Sequence, residues 1–297
     1  MPFVSANGTD LYYERSGRGP RLLLILGSSS TVAGSRLLID RVAPPFDLVV
    51  ADHRGMGRSG PVPGPYSMAT CAADAVATMD AVGWPSARVC GISFGGMMAQ
   101  ELAVTEPGRV DRVALVCTSP GGAGGSSYPL HELAHLDPAD RAAAFLPLLD
   151  TRFDEAWLSD HAGDRRLVEA LADTTDPRPG TAEADGAAAQ LEARRGHDVW
   201  DRLGAVSCPT LVASGRFDGI APPANGRALA ARIAGAELRL YEGGHAFFAQ
   251  DPTALPEILA FLSAPDPPTS AVAAGSRGTA GTAMTSGTAA GPGGGHR

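Results

Sequence analysis

The run Gly91-Ile92-Ser93-Phe94-Gly95-Gly96 constrains this chain more than any other. A short apolar stretch, Ala87 to Cys90, precedes it, and Phe94 to Thr105 reads as a helix. A serine between strand and helix, with glycine two residues before and two after, sits on a turn too tight for larger neighbours. Such a turn lifts the Ser93 hydroxyl above the edge of a sheet. It also sets the free N–H groups of a helix N-terminus beside any negative charge that forms there. Glycine is common here, with 37 in 297 residues, so the pattern gains its weight from the strand before it and the helix after it.

That unit repeats along the chain. Phe3–Ala6 and Leu11–Arg15 read as an antiparallel hairpin turning at Asn7-Gly8. Leu22–Leu26, Leu48–Ala51, Val89–Ile92, Val113–Cys117 and Thr210–Ala213 are short continuous apolar runs, as strands buried on both faces require. Leu238, Leu240 and Tyr241 mark a last strand. Helical patterns fall between them, near Leu37–Val42, Met68–Val82, Phe94–Thr105, Asn225–Ile233 and Thr253–Leu262. Strands alternating with helices predict an α/β fold with a mostly parallel, eight-stranded sheet and helices on both faces.

The alternation breaks once. Residues 121–206 hold no convincing strand, and Asp140–Leu149, Asp154–Ser159, Asp164–Ala172 and Glu183–Arg195 read as helices. Asp137-Pro138 looks like an N-cap followed by proline at the first helical position. The organisation expected is a core of residues 1–120 and 207–263 with a helical cap, 121–206, lying over the sheet edge where ligands bind. Residues 264–297 are rich in Ala, Gly, Ser, Thr and Pro and are expected to form a disordered tail.

Composition narrows the partners. The net charge of −8 disfavours nucleic acid and anionic membranes. No apolar run is long enough to span a bilayer, and the start of the chain lacks a signal-peptide pattern, so a cytoplasmic protein without a membrane partner is expected. All 24 basic residues are arginine, which removes Schiff-base and P-loop lysines from consideration. Cys71, Cys90, Cys117 and Cys208 form no C-x-x-C pair and read as reduced core residues, with no metal site among them.

Acyl transfer by a serine needs a base for its proton and a carboxylate to orient that base. The strand Thr210–Ala213 runs into Ser214-Gly215-Arg216-Phe217-Asp218, which places Asp218 just outside the sheet. The last strand runs into Glu242-Gly243-Gly244-His245, which places His245 at the same edge. Ser93, Asp218 and His245 are therefore the candidate catalytic residues. His53 precedes Ser93 in the chain, and His131, His135, His161 and His197 lie in the insertion. An oxyanion hole needs two backbone N–H donors. The candidates are Phe94, after the serine, and Ser28, in the Gly27–Ser30 loop after the third strand.

With Asp52-His-Arg-Gly-Met-Gly-Arg-Ser59, Gly215-Arg-Phe-Asp218 and Gly243-Gly-His245 beside the elbow, the chain resembles α/β-hydrolase-fold serine hydrolases from about Phe3 to Leu262. Within that fold it is similar to the branch of 3-oxoadipate enol-lactonases, cofactor-free haloperoxidases and anthracycline methylesterases. The resemblance implies the α/β-hydrolase fold, a Ser-Asp-His triad in that chain order, no cofactor, and hydrolysis of a small-molecule carboxylic ester or lactone through an acyl-Ser93 intermediate. A thioesterase or natural-product tailoring enzyme, a perhydrolase, and a non-catalytic ligand-binding protein are the alternatives on the same fold. Leu26-Gly27 stands where such proteins usually carry His-Gly. Ser29 of that loop, Trp157 of the insertion and Phe247 after His245 are candidate substrate contacts, and Phe94 is the aromatic residue expected nearest the ligand. Arg54 or Arg58 is expected to hold a carboxylate in a structural loop.

Overall fold

The structure, a computed structural model, describes residues 2–133, 135–172 and 180–265. Its centre is an eight-stranded sheet: β1 (Phe3–Ala6), β2 (Thr9–Gly17), β3 (Arg21–Ile25), β4 (Asp47–Ala51), β5 (Ala87–Ile92), β6 (Val110–Val116), β7 (Thr210–Gly215) and β8 (Glu237–Tyr241). The strand order is β1-β2-β4-β3-β5-β6-β7-β8. β1 and β2 form the antiparallel hairpin, and β2 pairs antiparallel with β4. The remaining pairings are parallel. At the hairpin turn Asn7 and Gly8 have φ of 47° and 83°, the two left-handed residues that a two-residue hairpin loop requires.

The continuous apolar strands work because each face of the sheet has its own core. On β3, Leu23 and Ile25 face one cluster, with Val49, Val89, Phe94, Met97 and Leu102. Leu22 and Leu24 face the other, with Leu48, Val50, Cys90, Ala114 and Phe247. The first face is covered by α2 (Met68–Ala81), α3 (Phe94–Thr105) and, further along the chain, the helix Pro223–Arg232. The second is covered by α1 (Arg36–Val42) and the helix Ala254–Ser263.

Between β6 and β7 the described residues contain no strand, only a single bridge from Gly121 to Asp198. The insertion carries α4 (Pro138–Leu149), α5 (Glu155–Asp160), α6 (Ala162–Ala172) and α7 (Ala182–Arg195). Asp137 caps α4, accepting from the N–H groups of Ala139 and Asp140 at 3.0 Å, with Pro138 at the first helical position. After β7 come α8 (Pro223–Arg232), α9 (Phe247–Gln250) and α10 (Ala254–Ser263). The four-residue α9 has no periodicity long enough to show in the sequence.

The expected tail lies, from residue 266 onward, outside the described residues. Its first two residues are fixed: Arg88 donates to the Ala264 carbonyl and Arg112 to that of Pro265. Three of the four cysteines are buried and all are free. Among the described residues no helix is long and apolar enough to cross a membrane.

The parallel order has one consequence for the site. β3 and β5 are neighbours, while the chain leaves β3 to one side for β4 and later returns to the other for β5 and β6. Between β3 and β5 lies the switch point of the sheet, and the loops beyond their C-terminal ends diverge there to leave a crevice. Those two loops carry Ser28 and Ser93.

Candidate active site

Ser93 directly follows β5 and caps α3 with φ 55° and ψ −113°, a strained conformation for a residue with a Cβ. Its carbonyl stabilises the turn by accepting from the N–H groups of Gly96 and Met97 and from the Thr118 hydroxyl. The flanking glycines are required by contact. A Cβ on Gly91 would run into the Gly95 carbonyl, and one on Gly95 into the carbonyls of Ile25 and Leu26. The first turn of α3 can therefore press against the end of β3 only where no side chain intervenes.

His245 Nε2 lies 2.9 Å from Ser93 Oγ. His245 Nδ1 lies 2.8 Å from Asp218 Oδ2 and 3.0 Å from Oδ1. A carboxylate oxygen only accepts, so the ring carries its proton on Nδ1 and offers the Nε2 lone pair to the serine hydroxyl. The Asp218 side chain is fully buried, and Oδ1 also accepts from the N–H groups of Ile220 and Ala221 at 2.8 Å each. These bonds fix the plane of the carboxylate. The structure thus brings together the three residues drawn from β5, β7 and β8.

The insertion closes around the same loops. The last carbonyls of a helix have no partners within it. Those of Leu148 and Leu149, at the end of α4, accept from the N–H groups of Gly219 and His245, at 3.0 and 2.6 Å. Buried Asp150 follows. It binds Arg152 through two contacts and accepts from Gln250, whose own carbonyl receives the Gly244 N–H at 2.9 Å. The sequence showed none of these links, because they join a helix end to loops far away in the chain, 100 residues in the case of Asp150 and Gln250.

The loop after β3 is fastened from two sides. His53 Nε2 lies 3.0 Å from the Leu26 carbonyl, so that nitrogen carries the proton. Burial lowers the His53 pKa and keeps the ring neutral. From the other side, Ser29, in a left-handed conformation at φ 56°, donates its N–H to Gln190 Oε1 of α7 at 2.7 Å. The half-buried Ser28 lies between these two ties. Phe94 is the first residue of α3, where an N–H has no helical partner. Gln190 escaped the sequence reading because a glutamine in an Ala- and Glu-rich helix looks the same whether it faces water or the core.

Two aromatic expectations change. The Phe247 ring is fully buried and stacks on Tyr241 with centroids 5.2 Å apart. It belongs to the core beneath β8 and offers no surface to a ligand. The Phe94 side chain is also fully buried, edge-on to His53 at 5.4 Å, so only its backbone faces the candidate site. Trp157 is engaged inside the insertion. It stacks on His161 at 3.8 Å, donates Nε1–H to Asp164 at 2.8 Å and lies beneath the Arg152 guanidinium. Arg54 does hold a carboxylate, binding Asp74 through two contacts of 2.6 and 2.7 Å in a buried pair. Arg58 instead donates to the Tyr12 hydroxyl.

A cavity of about 210 Å³ lies between α3, the 119–131 segment and α7, lined by Met97, Ser119, Ser127, Tyr128, Arg194 and His197 among others. Among the described residues no group of three or more His, Cys, Asp and Glu is placed to hold a metal ion.

A family model described as alpha/beta hydrolase fold matches residues 25–252. The chain belongs to the α/β-hydrolase family. A protein of Azorhizobium caulinodans named "Putative carbamate hydrolase RutD" is 29% identical over 263 residues, covering 87% of this chain and 97% of its own length. The 3-oxoadipate enol-lactonase 2 of Acinetobacter baylyi is 28% identical over 254 residues, covering 84% and 92%. Among solved structures, the enol-lactonase of Burkholderia xenovorans LB400 superposes with a TM-score of 0.74 at 25% identity, covering 89% of this chain and 100% of that one. These relatives share hydrolysis, and this member of the α/β-hydrolase family is a hydrolase.

Proposed function

We propose that this hydrolase cleaves a carboxylic ester or lactone through an acyl-Ser93 intermediate. The observation that carries the reading is the bridging position of His245, within hydrogen-bond distance of both Ser93 Oγ and Asp218.

In the proposed mechanism, His245 Nε2 removes the Ser93 proton as Oγ attacks the carbonyl carbon. Asp218 keeps the ring in the tautomer that leaves Nε2 free, and it stabilises the imidazolium formed by the transfer. The oxyanion of the tetrahedral intermediate lies against the N–H groups of Ser28 and Phe94, with the N-terminal end of α3 adding its partial positive charge. Collapse of the intermediate expels the alkoxide, which takes the proton from His245. Water then gives a proton to the same nitrogen and attacks the acyl-enzyme, and a second collapse returns Ser93 and releases the acid. In this reading the insertion is a cap whose inner surface decides which acyl and alcohol groups fit. The enol-lactonase relatives favour the ester or lactone class over the alternatives.

The test is Ser93→Ala. Hydrolysis of a small activated ester falls by about 10⁴-fold or more, and a fluorophosphonate probe labels the wild-type protein and not the variant. Retention of a tenth of the activity rules out the acyl-enzyme.

A further inference from the structure

Asp52 and His53, which directly follow β4, hold the loop after β3 at both of its ends. β3 and β4 pair in parallel as far as Leu24 and Val50, so the chain leaving β4 runs on beside the chain leaving β3. His53 Nε2–H donates to the Leu26 carbonyl at 3.0 Å, where the loop begins. Asp52 Oδ1 accepts the Val32 N–H at 2.6 Å, where the loop ends. Asp52 Oδ2 is occupied by the Arg58 N–H at 2.9 Å, and both Asp52 and His53 are buried. Ser28, with one of the two proposed oxyanion donors, lies between these anchors. Within the loop the Ser30 N–H reaches the Gly27 carbonyl only at 3.3 Å, a long contact. The path of the Gly27 and Ser28 peptides therefore depends on what holds the loop from outside.

His53 also reaches the second donor. Its ring meets that of Phe94 edge-on, with centroids 5.4 Å apart and planes at 88°. The Leu26 carbonyl that it binds lies against the first turn of α3, where a Cβ on Gly95 would come within 2.5 Å of that oxygen. The N–H groups that open a helix have no partners within it. The Leu26 oxygen thus stands beside donors that the proposed mechanism needs free. A buried carbonyl left without a donor is costly, and the opening of α3 offers it an alternative partner.

We propose that His53 is a positioning residue of the oxyanion hole. Its Nε2–H holds the Leu26 carbonyl away from the opening of α3, which fixes the Ser28 N–H in place and leaves the Phe94 N–H free for the developing oxyanion. This rests on the acyl-enzyme reading above. His53 takes no part in proton transfer, since its Nε2–H is spent on a backbone carbonyl and Ser93 is served by His245. A neutral ring carries one proton, and the bond to Leu26 requires that proton on Nε2. An oxyanion hole acts through donors fixed before the charge forms, so His53 acts on kcat and leaves substrate capture alone.

Two substrates that differ in a single atom test the proposal, 4-nitrophenyl acetate and O-(4-nitrophenyl) thionoacetate. The developing charge sits on oxygen in the first and on the larger sulfur in the second, which accepts weaker hydrogen bonds and fits poorly in a hole built for oxygen. After division by the rates of alkaline hydrolysis, wild-type enzyme is expected to favour the oxygen ester by about 100-fold in kcat/KM. His53→Leu lowers kcat for the oxygen ester by about 100-fold with KM little changed, and it shrinks the preference for oxygen by about 10-fold. His53→Gln, whose amide offers an N–H in place of the ring donor, recovers most of both. An equal loss on the two substrates marks a purely structural role and overturns the proposal. So does a wild-type kcat in His53→Leu, or a His53→Gln protein no better than His53→Leu. One measurement needs no variant to fold. Long-range proton–nitrogen NMR spectra of the wild-type protein are expected to show His53 as the neutral Nε2–H tautomer, and an Nδ1–H tautomer overturns the proposal. Fluorophosphonate labelling separates this proposal from the reading beneath it. Labelling of Ser93 with unchanged kinetics in His53→Leu removes the role of His53 alone, whereas no labelling of Ser93 in wild type removes the acyl-enzyme and the proposal with it.

Discussion

The backbone N–H of His245 donates to the carbonyl of Leu149 at 2.6 Å. The proposed base is therefore positioned from two directions, by the strand that precedes it and by the end of α4 in the insertion. The approach depends on Gly244, where a Cβ would overlap both the Leu149 carbonyl and Asp150.

Gly244→Ala is expected to force α4 away from the His245 loop. Overpacking of this kind costs about 1–3 kcal/mol, and displacement of the imidazole should lower kcat by about 100-fold. Thermal melts and ester kinetics measure the two effects. Wild-type values in both would show that the loop is placed by β8 alone.

Asp218→Asn keeps the shape of the site and removes the negative charge. The amide can present its N–H to His245 Nδ1, which leaves the imidazole in the wrong tautomer. A fall in kcat of about 10⁴-fold with little change in KM is expected. An unchanged kcat would mean that another carboxylate orients the base.

Gln190→Leu leaves the Ser29 N–H without its partner and frees the loop that carries Ser28. An oxyanion hole acts through donors fixed in advance, so kcat should fall by about 10-fold or more with KM little changed. A fall in both kcat and KM, or in stability alone, would assign Gln190 a different role.

Burial lowers the His197 pKa to about 4 from an ordinary 6.5. The unfolded chain therefore binds this proton first as pH drops. The stabilisation is complete above about pH 6.5 and is lost as pH falls toward 4, and about 2 kcal/mol of it should be gone by pH 5. Buried, neutral His53 acts in the same direction. Urea denaturation at pH 7.5 and 5 should show this loss, and His197→Asn should show a smaller one. Equal losses in the two proteins would place the effect elsewhere.

The sheet and the proposed triad were legible because each rests on local signals. A buried parallel strand is a short apolar run, and Ser93, Asp218 and His245 each follow such a run through glycines. Helix boundaries in the insertion came close to the observed ones because Asp137, Asp154 and Thr181 are N-cap residues. The links that position the site are of another kind. The Ser29–Gln190 bond spans 161 residues, and the α4 carbonyls that hold Gly219 and His245 belong to Leu148 and Leu149, whose side chains reveal nothing about their backbone partners. Phe247 was misplaced because an aromatic residue beside a candidate base looks the same in sequence whether its ring faces the ligand or the core.

Gly55 and Gly186 meet backbone to backbone. A Cβ on Gly186 would strike the Gly55 carbonyl, and one on Gly55 would reach the Gly186 Cα. At this point α7 rests on the loop after β4 with no side chain between them, and the helix has no slack there to take up. Gln190 and Arg194 lie one and two turns further along, so their height above the sheet is set by this pair. The two glycines work as a gauge block. A methyl group at either would push α7 away from the loop at this point and carry Gln190 with it. Variation at this pair would therefore also draw Gln190 away from the Ser29 N–H, so that added bulk at the glycine contact loosens the loop that carries Ser28.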